Sequence, residues 1–407
     1  MAKLKEYEKY IGIDVIYELE LFAKKLKNIS IQNINSTFVG GGVAEILTRM
    51  IPLLQELGVN ASWDVIKGEE KFFDVTKKMH NALHGKQVEY TKDEIDVYLN
   101  TNEENAKKLN LNSDIMFIHD PQPCALIKKK KTLGNKWIWR CHIDFSQPEK
   151  FTWDFLKDYI EEYDVSVFSA PSFARELKTP QALISPSIDP LSDKNKDLSE
   201  ETINSVLEKF DIDKNRPIVT QISRFDYLKD PVGVVKVFQM VKKYIDCQLV
   251  LAGGGADDDP EGAKVLAEVQ EITANDPDIF LLLLPPSSDI EINALQRAST
   301  VVLQKSLREG FGLTVAEALW KSKPVIASAV GGIPLQISHK YSGLLTHTIE
   351  GTAFALKQLL QNPSYAAKLG ENGRENIRRN FLITRHLRDY LLLFISLLQK
   401  KEDIIYL

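Results

Sequence analysis

The chain has 407 residues, 44% hydrophobic and 26% charged, with a formal net charge of −5. That length exceeds what one hydrophobic core organises, so two domains are expected. The acidic balance argues against a nucleic-acid partner, which wants a basic face. Three cysteines, Cys124, Cys141 and Cys247, lie too far apart for a metal or disulfide framework and fit a reducing compartment. The N-terminus lacks a signal-peptide pattern, and no apolar run approaches the roughly 20 residues that cross a bilayer. A cytoplasmic protein with no membrane partner is expected.

Short β-rich runs alternate with helical patterns along the chain. Ile29–Ile34, Ala61–Ile66, Asp114–Ile118, Lys136–Cys141, Val165–Ser169 and Ala182–Ser185 read as buried strands. Gly42–Leu57, Glu69–Leu83, Lys92–Leu109, Trp153–Glu162 and Ser172–Leu177 read as the helices between them. A polar stretch from Pro186 to about Glu200 reads as a linker, and the alternation then restarts. Its strands are Pro217–Ile222, Gln248–Ala252, Ile279–Leu284, Thr300–Gln304, Pro324–Ala327 and Gly343–Leu345. Its helices are Pro231–Tyr244, Gly262–Ala274, Asp289–Arg297, Leu313–Lys321 and Thr352–Leu360. Such alternation means parallel sheet with crossover helices on both faces. The expected architecture is α/β: two doubly wound Rossmann-like domains, residues 1–200 and 201–381, facing each other across a cleft. By fold analogy, a C-terminal helix of about 382–407 packs back on the first domain. Open sheets of this kind bind ligands beyond the carboxyl ends of their strands.

The richest segment is Arg308-Glu309-Gly310-Phe311-Gly312-Leu313-Thr314-Val315-Ala316-Glu317. Two carboxylates stand eight positions apart, joined by a glycine-flanked loop that runs into a helix. Bare amides and the helix start suit a phosphate, while Glu309 and Glu317 suit hydroxyl-rich groups on either side of it. Arg224 and Lys229 lie just after the second domain's first strand. Two cations five apart in such a loop can grip a diphosphate and stabilise the charge it gains as its bond breaks. Ordinary surface pairing with Asp226 and Asp230 is the plain alternative. Gly40-Gly41-Gly42 follows a strand and opens a helix, allowing close approach to a donor phosphate or sugar; it lacks the spacing of a dinucleotide fingerprint. His119-Asp120 and His142 each follow a strand of the first domain. Asp120 could orient an acceptor hydroxyl. His142 could hydrogen-bond a donor sugar or present its carbonyl to a developing positive charge, whereas His119 reads more readily as structural. Asp257-Asp258-Asp259 reads as a loop and helix start rather than a metal site.

These residues resemble the retaining nucleotide-sugar glycosyltransferases of the GT-B fold, over nearly the whole chain. The pattern from Glu309 to Glu317 is that family's signature, and Arg224 and Lys229 fall where it places a diphosphate-binding pair. Within it, Ala256–Gly262, Gln304–Gly312, Ile118-His119-Asp120-Pro121-Gln122-Pro123 and Trp139-Arg140-Cys141-His142-Ile143-Asp144 are similar to the trehalose glycosyltransferring synthases and related trehalose phosphorylases. The resemblance implies α,α-trehalose made reversibly from ADP-, UDP- or GDP-glucose and free glucose, with retention, no cofactor and no metal. It implies a front-face path in which Glu309 holds donor-sugar hydroxyls and His142, Arg224 and Lys229 act on the reacting groups. Phe311, Gly312 and Leu313 would offer amides, Glu317 would bind ribose, Gly41 and Gly42 would close on the donor, and Glu45 would reach the sugars. A homodimer is a family-level expectation. The competing readings are a trehalose phosphorylase using inorganic phosphate, a glucan-extending synthase, and a silent sugar-nucleotide sensor; degenerate motifs would mark the sensor, and Arg224, Lys229, Glu309, Glu317 and His142 are all present.

Overall fold

The computed structural model describes residues 3–39, 41–130, 134–254, 260–274 and 276–399. The chain divides into two compact units, Met1–Pro186 with Ile383–Leu407, and Ser187–Leu382.

The first unit carries a six-stranded parallel sheet. Its strands are β1 (Ser30–Asn35), β2 (Asn60–Val65), β3 (Ile115–His119), β4 (Lys136–Arg140), β5 (Val165–Phe168) and β6 (Gln181–Leu183), in the order β2-β1-β3-β4-β5-β6. All five residues of β3 are buried, as a central strand covered on both faces requires. One face packs an aromatic core in which Trp139 meets Phe145 and Phe168 edge-on, with ring centroids 6.3 and 5.9 Å apart. On the other, the C-terminal helix Ile383–Leu398 sets Tyr390 and Phe394 edge-on against Phe117 of β3.

The second unit repeats the plan with β7 (Ile218–Ile222), β8 (Gln248–Gly253), β9 (Ile279–Leu283), β10 (Val301–Gln304), β11 (Val325–Ser328) and β12 (Leu344–Thr346). The order is β12-β11-β10-β7-β8-β9, all parallel. Its core is aliphatic, built on Val219, Val234, Val235, Val237, Leu249 and Leu303.

Three features differ from the sequence reading. Ser172–Leu177 is not a helix: only a 3-10 turn, Pro171–Phe173, forms. Gln181 at the head of β6 holds the next segment extended, accepting from Arg175 N at 3.0 Å and donating to Arg175 O at 2.6 Å. A helix absent from that reading, Ile13–Lys25, packs beside the C-terminal helix. The polar stretch after Pro186 belongs to the second unit instead of ending the first at 200. Asn293 Nδ2 donates to the carbonyls of Asp193 and Lys196 at 2.8 Å each, and Arg297 Nη2 donates to Asn195 O at 3.1 Å. The apparent linker is thereby a pinned loop.

Candidate active site

In each unit the strand order reverses once, at β1/β3 and at β7/β10. A crevice opens at the carboxyl ends there, because the loops leaving the two strands turn in opposite directions. Gly41-Gly42 and Asp120 follow β1 and β3, and Arg224, Lys229 and Glu309 follow β7 and β10; His142 follows β4, next to β3.

In the second unit, the loop after β7 carries Arg224 and Lys229, and the loop after β10 carries Glu309. Gly253 at the end of β8 lets the first loop lie close: a Cβ there would sit 1.8 Å from Ser223 O. Asp226 caps the 3-10 turn Tyr227–Lys229, accepting from Lys229 N at 3.2 Å. Gln221 Nε2 donates to Lys229 O at 2.8 Å, and Leu307 N donates to Leu228 O at 2.8 Å, so the two loops are tied through their backbones. Lys229 Nζ then lies 2.7 Å from Glu309 Oε2, with the side chains only 19% and 11% exposed. Arg224 is 67% exposed and pairs with Asp226 at 3.1 Å. The plain alternative therefore describes Arg224 in part. It fails for Lys229, because Asp230 pairs instead with Lys305.

Glu309 is held by more than the lysine. Thr314 Oγ1 donates to Gln304 Oε1 (3.2 Å), Gln304 Nε2 to Ser306 Oγ (3.0 Å), and Ser306 Oγ to Glu309 Oε2 (3.2 Å). The amide and hydroxyl have one consistent polarity along this chain, so its end is a donor aimed at the carboxylate. Both the Ser306 and the Lys229 bonds fall on Oε2. Oε1 accepts none among the described residues and is the atom left to a ligand.

The loop beyond Glu309 is shaped by glycines on both sides. Gly312 has φ 81° and caps the helix Leu313–Trp320, whose opening amides have no intrahelical acceptor. Gly331, φ +55°, passes so close that a Cβ would lie 1.6 Å from Glu309 O. Gly332 N donates to Gly310 O at 3.0 Å. Gln336, fully buried, donates from Nε2 to Phe311 O at 2.5 Å and Gly312 O at 3.3 Å. Fixing these carbonyls orients the next peptide planes, and with them the amides of Gly312 and Leu313. Phe311 is buried against Phe381, with centroids 5.5 Å apart, which anchors the loop. Glu317 is only 5% exposed, one turn before Lys321. Lys321 donates to Asn195 Oδ1, Gln296 Oε1 and Glu317 O at 3.0, 2.7 and 3.2 Å, and burial pushes its ammonium down to about 7.

In the first unit, Asp120 follows β3 in the left-handed region, φ 66°, an uncommon conformation for a non-glycine residue. Three bonds hold it: its N–H donates to Arg140 O (2.7 Å), its carbonyl accepts from Trp139 Nε1 (3.0 Å), and its Oδ1 accepts from His142 N (2.8 Å). Burial raises its carboxyl to about 7 against the opposing pull of the His142 amide and Arg140. His142 is half-buried; its Nε2 lies 3.1 Å from His119 Nδ1. Burial, then the Arg140 guanidinium, hold both imidazoles neutral, His119 down to about 3 and His142 well below the ordinary value. Gly41 and Gly42 open the helix Gly41–Glu56, and Glu45 is exposed on it. Gly40 and Asp257–Asp259 lie outside the described residues.

Sequence reasoning passed over Asn33, Gly331 and Gln336, and it gave Gln304 and Ser306 no role of their own within the Gln304–Gly312 run. The Gly331-Gly332-Ile333-Pro334 run after β11 carried a signal, a glycine pair at a strand's carboxyl end. The amides and the serine carried none.

Residues 33–175 match a family model described as the N-terminal domain of trehalose synthase, and residues 203–376 match the group 1 glycosyl transferases. A trehalose synthase of Pyrococcus horikoshii is 44% identical over 96% of this chain and 95% of its own. One from Rubrobacter xylanophilus is 43% identical over 97% of each. A trehalose phosphorylase of Pleurotus pulmonarius is 29% identical over 92% of this chain and 58% of its own. A solved structure described as "Trehalose-6-phosphate from E. coli bound with UDP-2-fluoro glucose" matches with a TM-score of 0.74 at 16% identity, covering 90% of this chain and 98% of that one, a likeness of fold. Given that identity over nearly the full length of both chains, the protein belongs to the trehalose synthase family, glycosyltransferases built on two parallel-sheet Rossmann-like domains of the GT-B fold.

Proposed function

We propose that the protein transfers glucose from an NDP-glucose to free glucose, forming α,α-trehalose with retention at the donor carbon, and catalyses the reverse. The observation that carries this reading is the Lys229–Glu309 pair, 2.7 Å apart, at the mouth of the loop that opens the helix Leu313–Trp320. A cation, a carboxylate and a helix start in that order suit a diphosphate flanked by hydroxyls. On binding, Lys229 and Arg224 take the diphosphate, joined by the amides of Phe311, Gly312 and Leu313. Glu309 exchanges its lysine partner for donor-sugar hydroxyls, and Glu317 takes ribose. Gly41 and Gly42 let backbone approach the donor, while Asp120 and Glu45 orient the acceptor and His142 meets the donor hexose.

The bond from the anomeric carbon to the diphosphate oxygen breaks, leaving oxocarbenium character on the sugar. The acceptor hydroxyl adds to the same face, and its proton passes to the departing diphosphate oxygen. Arg224, Lys229 and the loop amides stabilise the charge that grows on that group, which is stabilisation specific to the transition state. No paired nucleophile is required, unlike the two-carboxylate arrangement of retaining glycosidases.

Trehalose is incubated with the enzyme and ADP, UDP or GDP, and separately with inorganic phosphate. The reading expects NDP-glucose and glucose from one or more of the nucleotides. Glucose 1-phosphate formed without nucleotide would replace it with the phosphorolytic reaction. The three nucleotides together rank the base preference.

A further inference from the structure

The polar ladder beneath His142 has a direction that its atoms dictate. Asn33 Nδ2 lies 3.3 Å from Ser62 O, and a carbonyl can only accept, so the amide nitrogen must face it. Asn33 Oδ1 therefore faces His119 Nε2, 3.1 Å away, and accepts from it. His119 is 1% exposed and held neutral by burial and by Arg140, so with its proton on Nε2 its Nδ1 is a bare acceptor. The partner at 3.1 Å, His142 Nε2, must then be the donor. His142 is itself neutral, which leaves its Nδ1 without a proton. That nitrogen makes no hydrogen bond among the described residues.

The register explains the ladder. Asn33 is aligned with Phe117, so Asn33, Phe117 and, two residues on, His119 share one face of the sheet. The His119 ring lies against Phe117 at 4.5 Å between centroids, and it meets His142 edge to edge along their hydrogen bond, the two planes 25° apart, which fixes its plane.

We propose that Asn33 and His119 are positioning residues that set the tautomer of His142, so that its Nδ1 lone pair accepts a hydrogen bond from a hydroxyl of the bound hexose. The first half stands on the ligand-free structure; the second rests on the glucosyl-transfer reading. A hydroxyl in that place is recognised as a donor, and a sugar whose hydroxyl is replaced by hydrogen or fluorine loses the contact.

The full chain is labelled with 15N-histidine, and long-range proton–nitrogen spectra are recorded without ligand, with His142→Gln and His119→Phe used to assign the two rings. The expected result is Nε2 protonated and Nδ1 bare in both. His119→Phe removes the acceptor, so His142 becomes a tautomer mixture and turnover drops about five- to tenfold, the range of one net hydrogen bond, with nucleoside-diphosphate affinity unchanged. Asn33→Asp supports the imidazolium form of His119, whose Nδ1 then donates, and His142 reverses to the Nδ1-protonated form. A protonated His142 Nδ1 in the wild-type spectrum overturns the proposal, whatever the variants do. An unchanged His142 tautomer and rate in His119→Phe also overturns it. Should the tautomers be as assigned while no nucleotide supports trehalose cleavage, the glucosyl-transfer reading fails and the tautomer assignment stands.

Discussion

Replacing Lys229 by methionine separates what its charge does for the fold from what it does for the reaction. Methionine keeps most of the apolar stem and removes the ammonium. At 2.7 Å from Glu309 Oε2, the gross attraction is about 6 kcal/mol for an effective dielectric near 20. Most of this is offset by the desolvation of two nearly buried groups, so the net loss of stability is about 1–3 kcal/mol. Much of that loss comes from the Glu309 carboxylate left with the Ser306 hydroxyl as its partner among the described residues. Adding Glu309→Gln removes the stranded charge and should recover a large part of the lost stability. Turnover behaves differently. A cation aimed at charge that appears only as the anomeric bond breaks contributes on the order of 3 kcal/mol, or about a hundredfold in kcat. The double variant recovers none of it. Urea unfolding measures the first quantity; kcat and nucleoside-diphosphate affinity, by steady-state kinetics and calorimetry, measure the second. Wild-type turnover in Lys229→Met, or a double variant no more stable than the single one, refutes the reasoning.

Three further outcomes are expected. Gln336→Leu leaves the carbonyls of Phe311 and Gly312 without their donor and frees the loop amides; nucleoside-diphosphate affinity falls about tenfold by calorimetry while the KM for glucose holds. Gly331→Ala meets both a positive φ and a Cβ placed only 1.6 Å from Glu309 O, so it costs at least about 3 kcal/mol, seen as a lower midpoint in denaturant together with loss of transfer. Asp120 has its folded-state value raised from 3.8 to about 7, so between these pH values the folded chain keeps a proton that the unfolded chain has released. Its contribution therefore favours folding less and less as pH rises through that window. Asp120→Asn abolishes the slope and also removes an inflection near pH 7 from kcat/KM; parallel melting curves for the two proteins from pH 4 to 8 would contradict this.

Much of the fold was legible because buried parallel strands are written as continuous apolar runs. Ile115–Ile118 and Leu249–Ala252 are such runs, buried throughout. Lys229 and Glu309 could each be singled out as a charge in a loop after a strand, and the structure brings the two within 2.7 Å. Their other partners could not be. Gln304, Ser306 and Thr314 form a chain only because the loop folds back onto the helix start, and Asn33 reaches His119 only because β1 and β3 are neighbours although 115 follows 35 by a long excursion. Amides and hydroxyls are common residues with no periodicity, so their meaning arises from register. Ser172–Leu177 misled for a similar reason: its local composition permits a helix, and a side chain from the next strand, Gln181, overrides it.

The placement of Ile383–Leu398 in the first unit bears on how the polypeptide matures. Phe117 receives Tyr390 and Phe394 from a segment translated after every residue of the second unit. During synthesis, the second unit holds all its strands before the first has its last covering helix. The half that emerges first is thus the half completed last, and until then one side of its central strands stays open to water and to misassembly. A chain ended before Ile383 would hold every strand of the second unit and lack the helix that covers the first.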